Sequence, residues 1–127
     1  MKFGYTIIYV ENVETTLEFY QQAFGVSQKM LHETGGYGEL DTGETILAFA
    51  SFSALKEIGK QPKPMDANAP NFEVAFTTHN VAKAVDKAVA AGAKLVSAPQ
   101  DMPWGQVVAY VSDLNGGLVE LCTPIQP

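Results

Sequence analysis

An internal duplication is the feature of this sequence that most constrains its fold. The pair Asn12-Val13 recurs as Asn80-Val81, and the later run Leu47-Ala48-Phe49 aligns with Val119-Glu120-Leu121. The matches keep their order along the chain and have nearly the same separation. The sequence therefore predicts two copies of one supersecondary unit, with loops of slightly different length.

The first copy predicts a helix after the first of four strands. Asn12 is a favourable helix N-cap, and Gly25 is a typical C-terminal stop. Apolar residues between them recur at helical spacing, whereas β-branched and aromatic runs separated by glycine turns predict strands. The predicted strands are Tyr5 to Val10, Val26 to Leu31, Tyr37 to Leu40 and Thr45 to Ala50.

The second copy repeats this plan, with Asn80 capping a helix that Gly92 closes. Its predicted strands are Phe72 to Thr78, Lys94 to Ala98, Gln106 to Val111 and Leu118 to Thr123. We interpret 51–70 as a linker, with a short helix from Ser53 to Ile58 followed by prolines that prevent regular structure. The prediction is one α+β domain over 1–127, with βαβββ modules at 1–50 and 71–127.

Composition narrows the partners and the compartment. The net charge of −6 disfavours nucleic acid and anionic membranes, because both bind proteins with an excess of lysine and arginine. No apolar run approaches the roughly 20 residues of a membrane span, and the first residues do not resemble a signal peptide. The single cysteine, Cys122, cannot form an internal disulfide and fits a reducing compartment. We therefore expect a cytoplasmic protein.

Strand alternation predicts a polar sheet face that could hold a ligand. In each copy one set of side chains is nearly all apolar, as expected beneath a helix, whereas the opposite set mixes apolar residues with hydroxyls and carboxylates. Such a mixed lining is typical of a small-molecule cleft. The candidate ligand-binding residues are Tyr5, Ile7, Tyr9, Ala48, Glu73, Thr77, Trp104 and Glu120.

Several of these residues admit two interpretations. Glu73 and Glu120 are either a coupled carboxylate pair, serving as acid and base or as an anchor for a cation, or solvated side chains. Tyr5 and Tyr9 either hydrogen-bond a ligand or only pack along the cleft. Trp104 either stacks on a planar ligand or packs in a loop or a dimer contact.

The opening Val10-Glu11-Asn12-Val13 and the segment Ser112 to Leu121 resemble the vicinal oxygen chelate superfamily, which contains glyoxalase I, extradiol dioxygenases and bleomycin resistance proteins. The resemblance implies paired modules in an open, cupped, mixed sheet with helices on the convex face. It also implies a homodimer. It is specific for fold and uninformative about the reaction, since one scaffold hosts many chemistries.

Metal-dependent members of that superfamily place ligands on the first and last strand of each module. The resemblance puts Tyr5, Ala48, Glu73 and Glu120 at those positions. Only Glu120 matches the usual ligand type, and Ala48 cannot bind a metal. Glu73 and Glu120 alone would suit a hard cation such as Mg²⁺ or Ca²⁺ better than a transition metal. No metal or other cofactor is therefore expected.

Two functions follow from these observations. The first is a metal-free small-molecule-binding protein of the bleomycin resistance type, which sequesters an aromatic or cationic ligand. The second is a glyoxalase-related enzyme (a lyase, isomerase or dioxygenase) that uses Glu120 and Glu73 with a divalent metal. Whether the protein is an enzyme stays open, and the candidate catalytic residues are the same two carboxylates.

Overall fold

A computed structural model describes residues 1–125 and divides the chain into two compact units, Met1–Pro64 and Met65–Pro127. Each unit contains one four-stranded mixed sheet. The α+β class and the two βαβββ modules predicted from the sequence are confirmed. No helix within residues 1–125 is long and apolar enough to cross a membrane.

The first unit follows the predicted order and has one additional short helix after its last strand, which the sequence also predicted. Its parallel pair β1–β4 continues through the antiparallel strands β3 and β2, in the sheet order β1-β4-β3-β2. The elements are β1 (Tyr5–Val10), α1 (Val13–Phe24), β2 (Gln28–Leu31), β3 (Tyr37–Leu40), β4 (Ile46–Ser51) and α2 (Phe52–Glu57).

The second unit has the same arrangement without the additional helix. Its sheet order is β5-β8-β7-β6, with β5 and β8 parallel. The elements are β5 (Val74–Thr77), α3 (Val81–Ala90), β6 (Lys94–Asp101), β7 (Val107–Ser112) and β8 (Leu118–Cys122).

Strand register shows that the repeat extends to individual residue positions. Ile7 pairs with Ala48 in the first unit, and their aligned counterparts Ala75 and Glu120 pair in the second. The amide of Ser51 donates to the carbonyl of Gly36 at 3.0 Å, and in the second unit Thr123 repeats this bond to Val107 at 3.0 Å. The internal duplication is therefore a structural one.

Helix α1 begins and ends where the sequence predicts. The Asn12 side chain accepts a hydrogen bond from the amide of Thr15 at 3.0 Å, which satisfies one of the free amides of the first turn. Gly25 ends the helix at φ 70°, a left-handed conformation that glycine adopts without strain.

The core of the first unit lies between α1 and its sheet. Phe49 is fully buried, and its ring centroid lies 5.0 Å from that of Tyr20. Gly38 on β3 allows the helix to approach, since a Cβ there would lie 2.7 Å from Leu17 Cδ1 and 2.9 Å from Val13 Cγ1. The helix therefore packs tightly on one face of the sheet and leaves the opposite face for other contacts.

Strands β1 and β3 have the predicted bounds, whereas the other six differ from the prediction by one to three residues at one or both ends. Strand β5 begins only at Val74, so Glu73 precedes the strand. Strand β6 continues beyond its predicted end at Ala98 to Asp101 and contains Pro99. It is an edge strand with register shifts between Ser97 and Gln100, and a proline is tolerated at such an irregular edge.

Candidate functional site

The sheet face turned away from the long helix of each unit is called here the far face. In the second unit, Val119 and Leu121 are buried and alternate with Glu120, which therefore lies on the far face. Glu120 pairs with Ala75 on one side and with Tyr110 on the other. The predicted orientation of Glu120, away from the helix, is confirmed.

A phenol hydrogen bond positions this carboxylate. The Tyr110 hydroxyl donates to Glu120 Oε1 at 2.9 Å, and both side chains are half-buried. Desolvation, followed by the hydrogen bond to Glu120 and the charges of Glu120 and Glu73, raises the pKa of Tyr110 to about 12. Tyr110 therefore remains a protonated donor at neutral pH, and Glu120 keeps further lone pairs for a ligand.

Glu73 lies close enough to Glu120 for the two carboxyls to interact. Its side chain is exposed overall. Partial desolvation of the carboxyl, and secondly the negative charge of Glu120, nevertheless raise the pKa of Glu73. The charge of Glu120 thus acts on Glu73, and a catalytic or ligand-binding role for these two carboxylates stays a prediction.

Cys122 occupies the same strand face, two residues beyond Glu120. It is buried, and its thiol lies 3.8 Å from the carbonyl oxygen of Phe76. Burial, and secondly the neighbouring Glu120, raise the pKa of the Cys122 thiol. The thiolate is the nucleophilic form, so these surroundings disfavour a role for Cys122 as a nucleophile.

Trp104 connects to this face through Gln106. Its indole Nε1 donates to Gln106 Oε1 at 2.7 Å, and Gln106 Nε2 donates to the carbonyl of Thr123 at 2.7 Å. The ring itself is 64% exposed. An exposed ring whose polar edge is held by a hydrogen bond offers its faces for stacking.

Thr77, a further candidate, is also exposed and pairs with Cys122.

The first unit places its predicted residues on its own far face. Tyr5 and Ile7 are 56% and 44% exposed. The Tyr9 hydroxyl accepts a hydrogen bond from Lys60 Nζ at 2.9 Å, and the ammonium lies 5.2 Å from the ring centroid. Ala48 is fully buried. A ligand-binding role for these four residues stays a prediction.

A second phenol–carboxylate pair was not predicted from the sequence. The Tyr37 hydroxyl donates to Glu39 Oε2 at 2.7 Å on β3. Desolvation, then the hydrogen bond and charge of Glu39, and finally Tyr5 raise the pKa of Tyr37 to about 12. Glu39 pairs with Ala48, as Tyr110 pairs with Glu120 in the second unit. Strand alternation alone places Tyr37 and Glu39 on one face of β3, whereas the Tyr110–Glu120 pair could have been identified only from the register of the β7–β8 hairpin.

A cleft of about 360 Å³ also opens in the first unit, beside the start of α1 and the turn between β2 and β3. Glu11, Glu14 and Glu57 are among its lining residues. None of these was a candidate in the sequence. All three keep solvent-exposed side chains, so their charges need no partner.

The donor set does not fit the metal sites of the superfamily. Within residues 1–125, no group of three or more His, Cys, Asp or Glu side chains could hold a metal ion. A transition-metal site in a protein takes three or more nitrogen, oxygen or sulfur ligands. Glu73 and Glu120 supply only two carboxylates, and the phenol beside them is protonated.

The raised phenol pKa values predict a late tyrosine titration. Of the five tyrosines, Tyr37 and Tyr110 should ionise near pH 12, whereas a free phenol ionises near pH 10. Absorbance of phenolate near 295 nm, followed against pH, measures this. Tyr110→Phe should remove one of these two late phenols. An unchanged late fraction in that variant would contradict the assignment.

The same shifts carry a stability consequence. A group whose pKa is higher in the folded than in the unfolded state stabilises the fold below its unfolded pKa. For Tyr37 and Tyr110, this contribution is therefore present at neutral pH and is lost as the pH rises from 10 towards 12.

Comparison with known proteins places the chain in a family. Residues 3–126 match the glyoxalase-like domain family. The uncharacterized protein YraH of Bacillus subtilis (strain 168) is 28% identical over 115 residues, covering 88% of this chain and 90% of YraH.

Solved structures share the fold at low sequence identity. A glyoxalase-related enzyme from Fulvimarina pelagi is 19% identical, with a TM-score of 0.83 over 98% of this chain and 88% of that one. A glyoxalase/bleomycin resistance protein/dioxygenase family enzyme from Burkholderia phytofirmans PsJN is 22% identical, with a TM-score of 0.79 over 99% and 100% of the two chains. The chain belongs to the glyoxalase-like domain family of the vicinal oxygen chelate superfamily.

Proposed function

We propose that this chain is a small-molecule-binding protein that holds an aromatic or cationic ligand on the far face of the second unit, without a metal. The observation that carries the proposal is the half-buried Glu120, hydrogen-bonded by Tyr110 and coupled to Glu73. A carboxylate held in this way is costly to desolvate, and a bound cation would offset that cost.

The charge balance of the site favours a cation. Within residues 1–125, no lysine forms an ion pair with Glu120, and the sequence contains no arginine. The phenol of Tyr110 satisfies only part of the hydrogen-bonding capacity of the carboxylate. An ammonium or amidinium group would fill the remaining positions with strong, charge-assisted hydrogen bonds.

Trp104 supports an aromatic component in the ligand. Its ring is largely exposed, yet Gln106 fixes its orientation through the indole nitrogen. An ordered exposed indole can stack on a planar ligand with little loss of conformational entropy. A ligand with both a cationic group and an aromatic ring would use both features.

The alternative function is an enzyme related to the glyoxalases. It is favoured by one observation, the raised pKa of Glu73 next to Glu120, because a carboxyl with a raised pKa is typical of a general acid or base. Metal analysis of protein purified without chelator separates the two functions. Stoichiometric Zn²⁺, Fe²⁺ or Mn²⁺, with an activity that chelation abolishes, would overturn the proposal in favour of the enzyme.

The binding proposal predicts a charge-dependent loss of affinity in Glu120→Gln. Benzamidine, an aromatic cation, and benzamide, its neutral counterpart, are suitable probes for calorimetric titration. Glu120→Gln should weaken benzamidine binding by about 1–3 kcal/mol, because the amide keeps the shape of the side chain and removes its charge. Benzamide should be insensitive to this change and should lose affinity in Trp104→Ala.

Asp86→Asn is the matched control for this experiment. Asp86 is exposed on α3, and the substitution changes the net charge by the same amount. It should leave both affinities unchanged at moderate ionic strength, where distant surface charges are screened. Equal weakening by Asp86→Asn and Glu120→Gln would show that benzamidine responds only to overall charge, and would contradict the proposal.

The homodimer and the cytoplasmic location expected from the sequence stay predictions. Small sheets with open edge strands support self-association, since an edge strand presents unpaired backbone groups.

A further inference from the structure

We propose that Tyr37 and Glu39, on the far face of the first unit, form a second binding site for the ammonium or amidinium group of a small organic cation. All of its residues belong to the first unit, and it does not depend on the function proposed for the second. The juxtaposition that carries the proposal is Glu39 beside Ala48, with the Tyr37 hydroxyl 2.7 Å from the Glu39 carboxylate.

The register explains how a carboxylate comes to this place. In the second unit the carboxylate is on the last strand, at Glu120, and the phenol is on the neighbouring strand. In the first unit the aligned position on the last strand is Ala48, and its neighbour on β3 is Glu39. Compared with the second unit, the carboxylate of the first unit therefore lies on the neighbouring strand, about 4.8 Å away, on the same face of the sheet.

The surroundings of Glu39 favour a positively charged partner. Glu39 is half-buried, and no lysine within residues 1–125 forms an ion pair with it. The Tyr37 hydroxyl donates a hydrogen bond to one carboxylate oxygen, Oε2. The other oxygen can accept a hydrogen bond from a ligand. Ala48 has no atoms beyond Cβ, so it does not compete for the carboxylate.

Strand β1 supplies the rest of the site. Ile7 pairs with Ala48, so Ile7, Ala48 and Glu39 form one row across the sheet. Ile7 and Tyr5 are both exposed and offer apolar and aromatic surface beside the carboxylate. Tyr5 lies near enough to Tyr37 to contribute to the rise of its pKa.

The chain itself shows that this face accepts an ammonium group. Lys60 Nζ donates to the Tyr9 hydroxyl at 2.9 Å and lies 5.2 Å from the centre of the Tyr9 ring. Tyr9 is on β1, on the same side as Tyr5 and Ile7. The hydroxyl and the ring of Tyr9 thus already hold an alkylammonium group, two residues along β1 from Ile7.

The test is an amide-detected NMR titration with benzamidine and with benzamide. In the wild type, benzamidine should shift the amides of Tyr37, Glu39 and Ala48, and benzamide should not. Glu39→Gln should raise the dissociation constant measured from these amides by about tenfold or more, as expected for loss of a charge-assisted hydrogen bond. Glu44→Gln, which removes an exposed carboxylate of the same unit, should leave it unchanged.

A second variant covers the case in which Glu39→Gln does not fold. Ile7→Lys leaves Glu39 intact and changes an exposed side chain in the same cross-sheet row. Its ammonium should occupy the carboxylate and abolish the benzamidine shifts at Glu39. If benzamidine still binds there with wild-type affinity, the proposal is overturned.

Two further outcomes would also overturn it. One is an absence of shifts on β1, β3 and β4 at millimolar benzamidine. The other is an equal response to benzamide. Glu120→Gln separates this site from that of the second unit. It should leave the dissociation constant at Glu39 unchanged, and shifts confined to Tyr110 and Glu120 would refute only the present proposal.

Discussion

Replacing Phe49 by alanine should lower the free energy of unfolding by about 3–5 kcal/mol. Its side chain is fully buried beneath α1, and its ring packs against Tyr20 at a centroid distance of 5.0 Å. Removing the ring forfeits both its transfer free energy and its contacts, because a tightly packed core closes only partly around a cavity. This loss is a large fraction of the roughly 5–15 kcal/mol that stabilises a typical domain.

Urea denaturation followed by far-ultraviolet circular dichroism measures this effect. Ile58→Ala is the matched control in the same unit, since Ile58 is 70% exposed and its truncation should change stability by less than about 0.5 kcal/mol. Leu121→Ala removes the aligned residue of the second unit, which is also buried. A loss below about 1 kcal/mol in Phe49→Ala would contradict the assignment of Phe49 to the core.

The sheet faces of the two copies could be predicted from the sequence because side chains alternate between the two faces of a strand with a period of two residues. Aligning Ala48 with Glu120 assigned both residues to the sheet face opposite the helix, and the observed pairs Ile7–Ala48 and Ala75–Glu120 confirm that alignment. Asn12 was equally predictable, since capping is a local interaction over three residues.

The hydrogen-bond partner of Glu120 could not be predicted in the same way. Tyr110 meets Glu120, ten residues later, only because the β7–β8 hairpin has one particular register. A shift by one residue would place the phenol on the opposite face. Glu39 was not a candidate because the superfamily's ligand positions lie on the first and last strand of each module, whereas Glu39 lies on β3 beside Ala48.

That hairpin register depends on the turn between β7 and β8. The amide of Gly117 donates to Asp113 Oδ1 at 2.7 Å, and the amide of Gly116 donates to the carbonyl of Asp113 at 3.2 Å. Gly116 has φ +80°, and a Cβ there would lie 2.6 Å from the carbonyl oxygen of Met65. Both its conformation and its surroundings therefore require glycine.

Gly116→Ala should lower the free energy of unfolding by about 2–4 kcal/mol, combining left-handed strain with a steric clash. The clashing atom belongs to the backbone of Met65, so it cannot move aside as the end of a flexible side chain would. Gly105→Ala is the matched control, because Gly105 has φ +99° in the same unit and nothing lies within 4 Å of its added Cβ. It should cost only the strain, about 1–2 kcal/mol. Urea denaturation of both variants measures the difference, and equal losses would show that the contact with Met65 contributes nothing.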